Sequence, residues 1–201
     1  DFSLPKTAFK TYSVEGIAKI GIALDYLAQI MARAKPNDEL TLELDEQNSR
    51  LKVSFKGTAT RRFSVPLIDV SSAELPIPKI DFDAELTLKA DVLQDSLKDA
   101  SLISTHVTMG VKSESFFVQA SSSKGELNSE TNKAEKGLLE LKSKKDCHAM
   151  FPLDFLSDTL KAANSETSLS VFLKSNAPIK LSYKVGDASL AYFLAPRIES
   201  D

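Results

Sequence analysis

A short sequence near the start of the chain returns near its end. Residues 24–27 read Leu-Asp-Tyr-Leu and residues 153–156 read Leu-Asp-Phe-Leu, and the sequences that follow the two stay in step. In the same way, the sequence Phe-Ser-Val-Pro-Leu-Ile at residues 63–68 corresponds to Phe-Leu-Ala-Pro-Arg-Ile at residues 193–198. A duplication of this length indicates two similar domains in one chain.

The two copies differ in the length of sequence that precedes them. The second copy has a long lead-in that starts near Asp83, whereas only residues 1–23 precede the first. We therefore expect about 50 residues of the first domain to be absent from this chain. The predicted organisation is a truncated first domain at residues 1–67, a connector at residues 68–82 and a complete second domain at residues 83–201.

Hydrophobic periodicity predicts antiparallel sheets with helices on one face, which is an α+β class. Alternating apolar residues predict two hairpins, one from residues 40–44 and 51–55 and one from residues 168–173 and 179–185. Apolar residues at helical spacing predict helices at residues 24–35, 91–101 and 153–163. The apolar face of the first is predicted to hold Leu24, Leu27, Met31 and Ala34, that of the second Leu93, Leu97 and Ala100, and that of the third Leu153, Leu156 and Leu160. Shorter alternating runs predict further strands at residues 85–88, 106–111, 116–120, 138–141 and 190–194.

The composition is that of a globular protein with enough apolar residues for a core, at 42% of the chain. No stretch approaches the ~18 apolar residues that a membrane span needs, so we expect no membrane partner. The formal net charge of −3 argues against a protein that is basic all over. It is compatible with nucleic-acid binding, because a local basic stripe can lie on an acidic body.

Motifs of catalysis are missing from the sequence. There is no glycine-rich nucleotide loop, no His-Glu-x-x-His and no Gly-x-Ser-x-Gly. Cys147 and His148 are neighbours without a second ligand pair at metal spacing, and His106 stands alone. The single cysteine also excludes an internal disulfide. We therefore expect no enzyme, no catalytic residues, no metal and no cofactor.

The stretch between the two copies is rich in proline yet unusually apolar. Pro66, Pro76 and Pro78 disfavour regular structure, while Leu75 and Ile77 lie among them. A plain linker is more polar than this. Two interpretations remain open: these side chains pack on their own domains, or they form a hydrophobic docking site.

Four segments are typical of one known family. They read Gly-Thr-Ala-Thr-Arg at residues 57–61, Val-Pro-Leu-Ile-Asp-Val at 65–70, Leu-Lys-Asp-Ala-Ser-Leu at 97–102 and Leu-Ala-Pro-Arg-Ile-Glu at 194–199. With them the chain resembles, from Asp1 to its C-terminus, the archaeal sliding clamps, the proliferating cell nuclear antigen family of DNA replication. The resemblance implies a DNA-clamp fold, in which three two-domain subunits form a ring that encircles duplex DNA and raises polymerase processivity without being an enzyme.

The resemblance also implies where the chain faces DNA. Clamp helices line the hole, and the bases that match this role are Arg33, Lys35, Lys98 and Lys161. Such contacts are directed to phosphates and indifferent to sequence. Asp25, Asp95, Asp154 and Asp158 share the same helix stripes, which departs from the usual basic pattern of the family.

The family binds its partners through a pocket beside the connector. Tails with a Gln-x-x-hydrophobic-x-x-aromatic-aromatic pattern dock there, and they come from DNA polymerase, flap endonuclease, DNA ligase and the clamp loader. The matching residues here are Leu75, Ile77, Pro178, Phe193, Ala195, Pro196 and Arg197. Subunits of the family join edge to edge, and the matching edges here are residues 60–67 and 126–133. The matching interface residues are Arg61, Arg62, Phe63, Val65, Leu127 and Lys133.

Two further expectations follow. The ring is either a homotrimer or a heterotrimer with paralogues, and it is located in the archaeal cytoplasm at the nucleoid, or in the nucleus if the source is eukaryotic. The alternative function is of another class, because a curved antiparallel sheet that grips helices can also enclose a lipid-like small molecule.

Overall fold

The computed structural model describes residues 1–69 and 76–197 of the chain. Its strands are β1 Phe2–Ser3, β2 Gly21–Ile22, β3 Glu39–Asp45, β4 Arg50–Lys56, β5 Thr60–Ile68, β6 Ala84–Lys89, β7 His106–Lys112, β8 Ser115–Ser122, β9 Gly125–Asn132, β10 Leu138–Ser143, β11 Cys147–Pro152, β12 Ser168–Leu173, β13 Ile179–Val185 and β14 Ala188–Leu194. Its α-helices are α1 Leu24–Met31, α2 Ala90–Ile103 and α3 Leu153–Thr159, and a 3₁₀ turn covers Lys6–Ala8.

The chain divides into two compact units. The smaller unit spans Tyr12–Pro76, and the larger unit joins Asp1–Thr11 to Ile77–Asp201. The first residues belong with the larger unit because β1 pairs with β14, where Phe2 faces Leu190. The proposed clamp domains at residues 1–67 and 83–201 and the connector at residues 68–82 stay predictions.

Two antiparallel sheets and a pair of helices build the larger unit. The six-stranded sheet has the order β1-β14-β13-β12-β6-β10, and the four-stranded sheet has the order β11-β7-β8-β9. Helix α2 contacts strands of both sheets, and α3 contacts β11, β14 and α2. This is the predicted α+β class with helices on one side of antiparallel sheet.

The helical periodicity is confirmed in α2. Leu93, Leu97 and Ala100 are at most 2% exposed, and they join one continuous core with side chains from both sheets. Burial of each of the two leucine side chains stabilises the fold by about 1.5–3 kcal/mol. The same core takes Leu153 and Leu156 from α3. The apolar faces of both helices therefore hold the larger unit together.

The smaller unit is a four-stranded sheet with the order β2-β5-β4-β3 and one helix. Its core consists of Ile30, Leu51, Val53, Phe55 and Val65. The prediction placed Leu24 on the buried face of α1, but this side chain is 73% exposed. The buried face is instead formed by Leu27, Ile30 and Met31.

The two copies of the repeat have the same topology. After α1, the strands β3, β4 and β5 pair antiparallel in sequence order. After α3, the strands β12, β13 and β14 do the same. The shared order of helix, hairpin and third strand is the order that a sequence duplication predicts.

Two helices are shorter than predicted. Helix α1 ends at Met31 and not at residue 35, because Lys35 precedes Pro36 and Asn37 takes a positive φ of 69°. Helix α3 ends at Thr159 and not at residue 163. There the hydroxyl of Tyr183 donates to the carbonyl of Thr159, and desolvation chiefly raises the pKa of Tyr183 to about 12.

Candidate DNA-facing and partner-binding sites

Two of the predicted DNA-facing lysines are held by carboxylates. Lys98 Nζ lies 2.8 Å from an oxygen of Asp95, and Lys161 Nζ lies 2.8 Å from an oxygen of Asp158. Hydrogen bonds to these carboxylates raise the pKa of both lysines. All four side chains are exposed, so the pairs are open to solvent and to ligands. Either lysine reaches a phosphate only in competition with its own aspartate.

Gln94 joins the helices that carry these pairs. Its Nε2 donates to the carbonyl of Leu160 at 3.2 Å and to that of Ala163 at 3.0 Å. Both carbonyls lie just past Thr159, the last residue of α3, and the Leu160 carbonyl also accepts the backbone N–H of Ala163 at 3.0 Å. The Gln94 side chain therefore adds hydrogen bonds to carbonyls at the end of this helix. Gln94 lies one turn before Lys98, and Leu160 directly precedes Lys161. Gln94 therefore ties α2, which carries Lys98, to the turn after α3, which carries Lys161.

Three of the four predicted bases lie outside a helix, because α1 ends at Met31 and α3 ends at Thr159, two residues before Lys161. Arg33 and Lys35 are exposed residues in the turn after α1, and this corrects their placement on a predicted helix. The carbonyl of Arg33 accepts a bond from Arg61 Nη1 at 2.7 Å, and the backbone N–H of Lys35 donates to Asp38 at 2.9 Å. These bonds fix the backbone of the turn.

A row of side chains crosses the outer face of the six-stranded sheet. Phe172 faces Lys180, and Lys180 faces Phe193 across the strands β12, β13 and β14. Lys180 Nζ lies 4.7 Å from the Phe172 ring centroid and 5.8 Å from that of Phe193. Phe82 extends the row, with its ring centroid 5.6 Å from that of Phe172. We call Phe82, Phe172, Lys180 and Phe193 the aromatic row.

Only Phe193 in this row was predicted from the sequence. Pro178 precedes Ile179, which faces Leu194 on β14, so Pro178 lies at the same end of the sheet as Ala195 and Pro196. Ile77 is 65% exposed, and Leu75 lies outside the described residues.

The last predicted pocket residue, Arg197, points elsewhere. Its backbone N–H donates to the carbonyl of Met150 on β11 at 2.7 Å. Its Nη1 lies 3.2 Å and 3.3 Å from the two ring nitrogens of His106. The structure therefore directs this guanidinium to the four-stranded sheet and not to Phe193.

The predicted subunit edges are both open in the part of the chain that the structure describes. Strand β5 pairs with β4, and only its last two residues pair with β2. Strand β9 pairs with β8 alone. Each therefore presents a row of backbone groups that another strand can pair with.

Most predicted interface side chains already have partners within their own unit. Arg61 forms an ion pair with Asp38, Phe63 packs edge-to-face on Phe55 at 5.9 Å, and Val65 is fully buried. In the larger unit, Leu127 packs against the core, and Lys133 pairs with Glu114 at 2.8 Å. An interface at these edges would therefore rest on backbone pairing. Of the four predicted interface residues on β5, Arg62 is the one with an exposed side chain.

Elements of a reactive site are not found in residues 1–69 and 76–197. Within them no group of three or more His, Cys, Asp or Glu side chains could hold a metal ion. Cys147 is buried, and desolvation raises its thiol pKa, which disfavours the reactive thiolate. No helix in these residues is long and apolar enough to cross a membrane.

Comparison with known proteins decides the family. The model of the proliferating cell nuclear antigen C-terminal domain matches residues 76–198. A DNA polymerase sliding clamp of Methanococcus vannielii is 39% identical over 203 aligned residues, covering 98% of this chain and 80% of the relative. The chain belongs to the proliferating cell nuclear antigen family of DNA sliding clamps. A clamp of Thermofilum pendens is 35% identical over 99% of the chain and 81% of the relative.

Solved clamp structures have the same fold. The proliferating cell nuclear antigen of Thermococcus kodakaraensis superposes with a TM-score of 0.90 at 26% identity, covering 98% of this chain and 80% of that one. The clamp of A. fulgidus with the C-terminal region of FEN-1 bound gives 0.87 at 28% identity, covering 100% of this chain and 80% of that one. Clamps are processivity factors and not enzymes, which agrees with the expectation from the sequence. The alternative of a lipid-like carrier is not supported.

Proposed function

We propose that the protein works as a ring of three subunits around duplex DNA. Residues 1–67 and 83–201 would supply the clamp domains, joined by the connector at residues 68–82. The observation that carries this proposal is the likeness to sliding clamps over 98% of the chain. The open edges of β5 and β9 support a head-to-tail contact, which closes into a ring when the rotation between subunits allows it. The subunits are identical or paralogous.

The protein holds DNA by topology and tethers enzymes to it. Polymerase, flap endonuclease, ligase and clamp loader would dock through tails with apolar and aromatic anchors. The clamp of A. fulgidus binding the C-terminal region of FEN-1 supports this mode. We place the protein at the archaeal nucleoid in the cytoplasm, because the relatives named above are archaeal.

Cutting the DNA tests the topological link. Full-length protein loaded on a circular duplex is expected to stay bound through gel filtration at high salt, and to be released when a restriction enzyme opens the circle. The reason is that a closed ring leaves DNA only over an end, whereas phosphate contacts are lost at high salt. Quantitative immunoblotting of the DNA fractions measures both states. Equal loss from circular and cut DNA would overturn the proposal.

The lysine–aspartate pairs lead to a second prediction, which concerns the affinity for duplex DNA. Lys98→Ala with Lys161→Ala should weaken binding to a short linear duplex and lower the salt slope by about one unit per lost phosphate contact. Asp95→Asn with Asp158→Asn should instead strengthen binding by about threefold, because each lysine is freed from an exposed ion pair. Fluorescence anisotropy at several salt concentrations measures both effects.

Asp187→Asn is the control for each of the two aspartate changes made singly, because it removes one charge from an exposed residue in the turn between β13 and β14. In a Lys98→Ala background, the Asp95→Asn change should lose its effect, because the aspartate acts through the lysine. A gain of the same size from Asp187→Asn would assign the effect to net charge alone.

A further inference from the structure

Lys180 is a cation held between two aromatic rings without an acidic partner. Its Nζ lies 4.7 Å from the Phe172 ring centroid and 5.8 Å from that of Phe193. None of the carboxylates in the described part of the chain forms an ion pair with it, whereas five other lysines on the strands and loops of the larger unit have one, namely Lys89, Lys133, Lys142, Lys144 and Lys145. Glu85 on β6 faces Phe172 on β12, and Phe172 faces Lys180 on β13, so the phenylalanine lies between this carboxylate and the lysine.

The two rings fix where this charge is presented. A lysine side chain loses much rotamer freedom when it is ordered. Here cation–π attraction to two faces offsets part of that loss and holds the ammonium group at one place. The two aromatic rings flank the ammonium group, but a ring accepts a hydrogen bond more weakly than a carboxylate does. The N–H donors of Lys180 are therefore available to a ligand.

The position of Lys180 is continuous with the proposed partner pocket. Phe193, one of its two rings, is a predicted anchor-binding residue, and Pro178 lies two residues before Lys180. A tail that seats its aromatic anchors against Phe193 would place the residues beside those anchors near Lys180, because Lys180 Nζ lies 5.8 Å from the Phe193 ring centroid. The aromatic row thus extends the apolar pocket with a charged end.

We propose that Lys180 binds a carboxylate of the docked partner tail, from an acidic residue directly before or after its aromatic pair. This inference rests on the proposed function, because it deepens the partner site. An Asp or Glu there completes the hydrogen bonding of the ammonium group and neutralises its charge. Lys180 then sets preference among partner tails, while the apolar anchors supply most of the affinity.

The test compares peptides of the Gln-x-x-Ile-x-x-Phe-Phe type on the full-length protein. Peptide pairs carry Glu or Gln directly before the aromatic pair, or directly after it. With Lys180→Met, we expect at least one Glu peptide to lose about threefold to fivefold in affinity, which is the worth of an exposed ion pair. The matching Gln peptide should change less than twofold. Titration calorimetry measures each dissociation constant.

Lys184→Met is the matched control, because Lys184 lies on the same face of β13 and faces Ser189. Among the residues that the structure describes, no aromatic ring forms a cation–π contact with Lys184. It should leave both peptides unaffected. A Lys180→Glu variant should reverse the preference and favour a peptide with Lys at the sensitive position.

The remaining outcomes overturn the inference. An equal loss for Glu and Gln peptides assigns Lys180 to packing, and equal effects of Lys180→Met and Lys184→Met assign it to general charge. If every variant binds all peptides alike, no carboxylate is read at this place. Failure of the unmodified protein to bind any of these peptides would instead overturn the partner pocket itself.

Discussion

Phe193→Ala should weaken binding of a Gln-x-x-Ile-x-x-Phe-Phe peptide by at least about tenfold, since truncating an anchor contact commonly costs about 2 kcal/mol. The change removes an aromatic face from the proposed pocket and one of the two rings beside Lys180. Ile77→Ala should act in the same direction, because this exposed side chain follows Pro76 in a segment without helix or strand. Titration calorimetry with the full-length protein measures both affinities.

The matched control is Phe155→Ala, because Phe155 is 62% exposed on α3 and lies outside the aromatic row. It should bind the peptide as the unmodified protein does. The melting temperature of all three variants should stay within a few degrees, because none of these side chains is fully buried. Unchanged dissociation constants for both Phe193→Ala and Ile77→Ala would place the partner site elsewhere and return the connector to simple packing.

Gly110→Ala should lower the free energy of unfolding by about 2–4 kcal/mol, because the site has no room for a methyl group. An added Cβ would overlap the backbone carbonyl of Cys147, and it would lie 2.7 Å from His148 Cβ and 2.7 Å from Phe117 Cζ. The carbonyl belongs to the paired strand β11 and moves only if the sheet moves. Urea unfolding followed by circular dichroism measures the loss.

The control for Gly110→Ala is Gln119→Ala, which changes an exposed side chain on the adjacent strand β8. The side-chain amide of Gln119 donates an exposed hydrogen bond to Asn128 at 3.0 Å, so the free energy of unfolding should change by less than about 0.5 kcal/mol. A Gly110→Ala protein as stable as the Gln119→Ala protein would show that the two strands separate easily at this point.

Local patterns predicted the features that depend on one element at a time. The spacing of Leu93, Leu97 and Ala100 predicted the buried face of α2, and all three are buried. The repeat predicted that the same elements follow α1 and α3, and each helix is indeed followed by three antiparallel strands that pair in sequence order. These predictions succeeded because periodicity and duplication are written directly in the order of residues.

Features that depend on pairing between distant residues were missed. Phe172, Lys180 and Phe193 form one row only because the registers of β12, β13 and β14 place them opposite each other. No short window of sequence contains that register. Strand β11 was missed because Cys147–Pro152 mixes small, polar and apolar residues, and β1 was missed because it has only two residues.

The ion pairs of Lys98 on α2 and of Lys161 directly after α3 affect how a duplex would move past these helices. A helix surface whose cations are already neutralised presents no deep electrostatic wells at the phosphate spacing. Asp91, Asp99 and Asp154 add further negative charge to these helices. We expect the duplex to be separated from such a surface by a hydrated layer, so that it can rotate and translate with little friction.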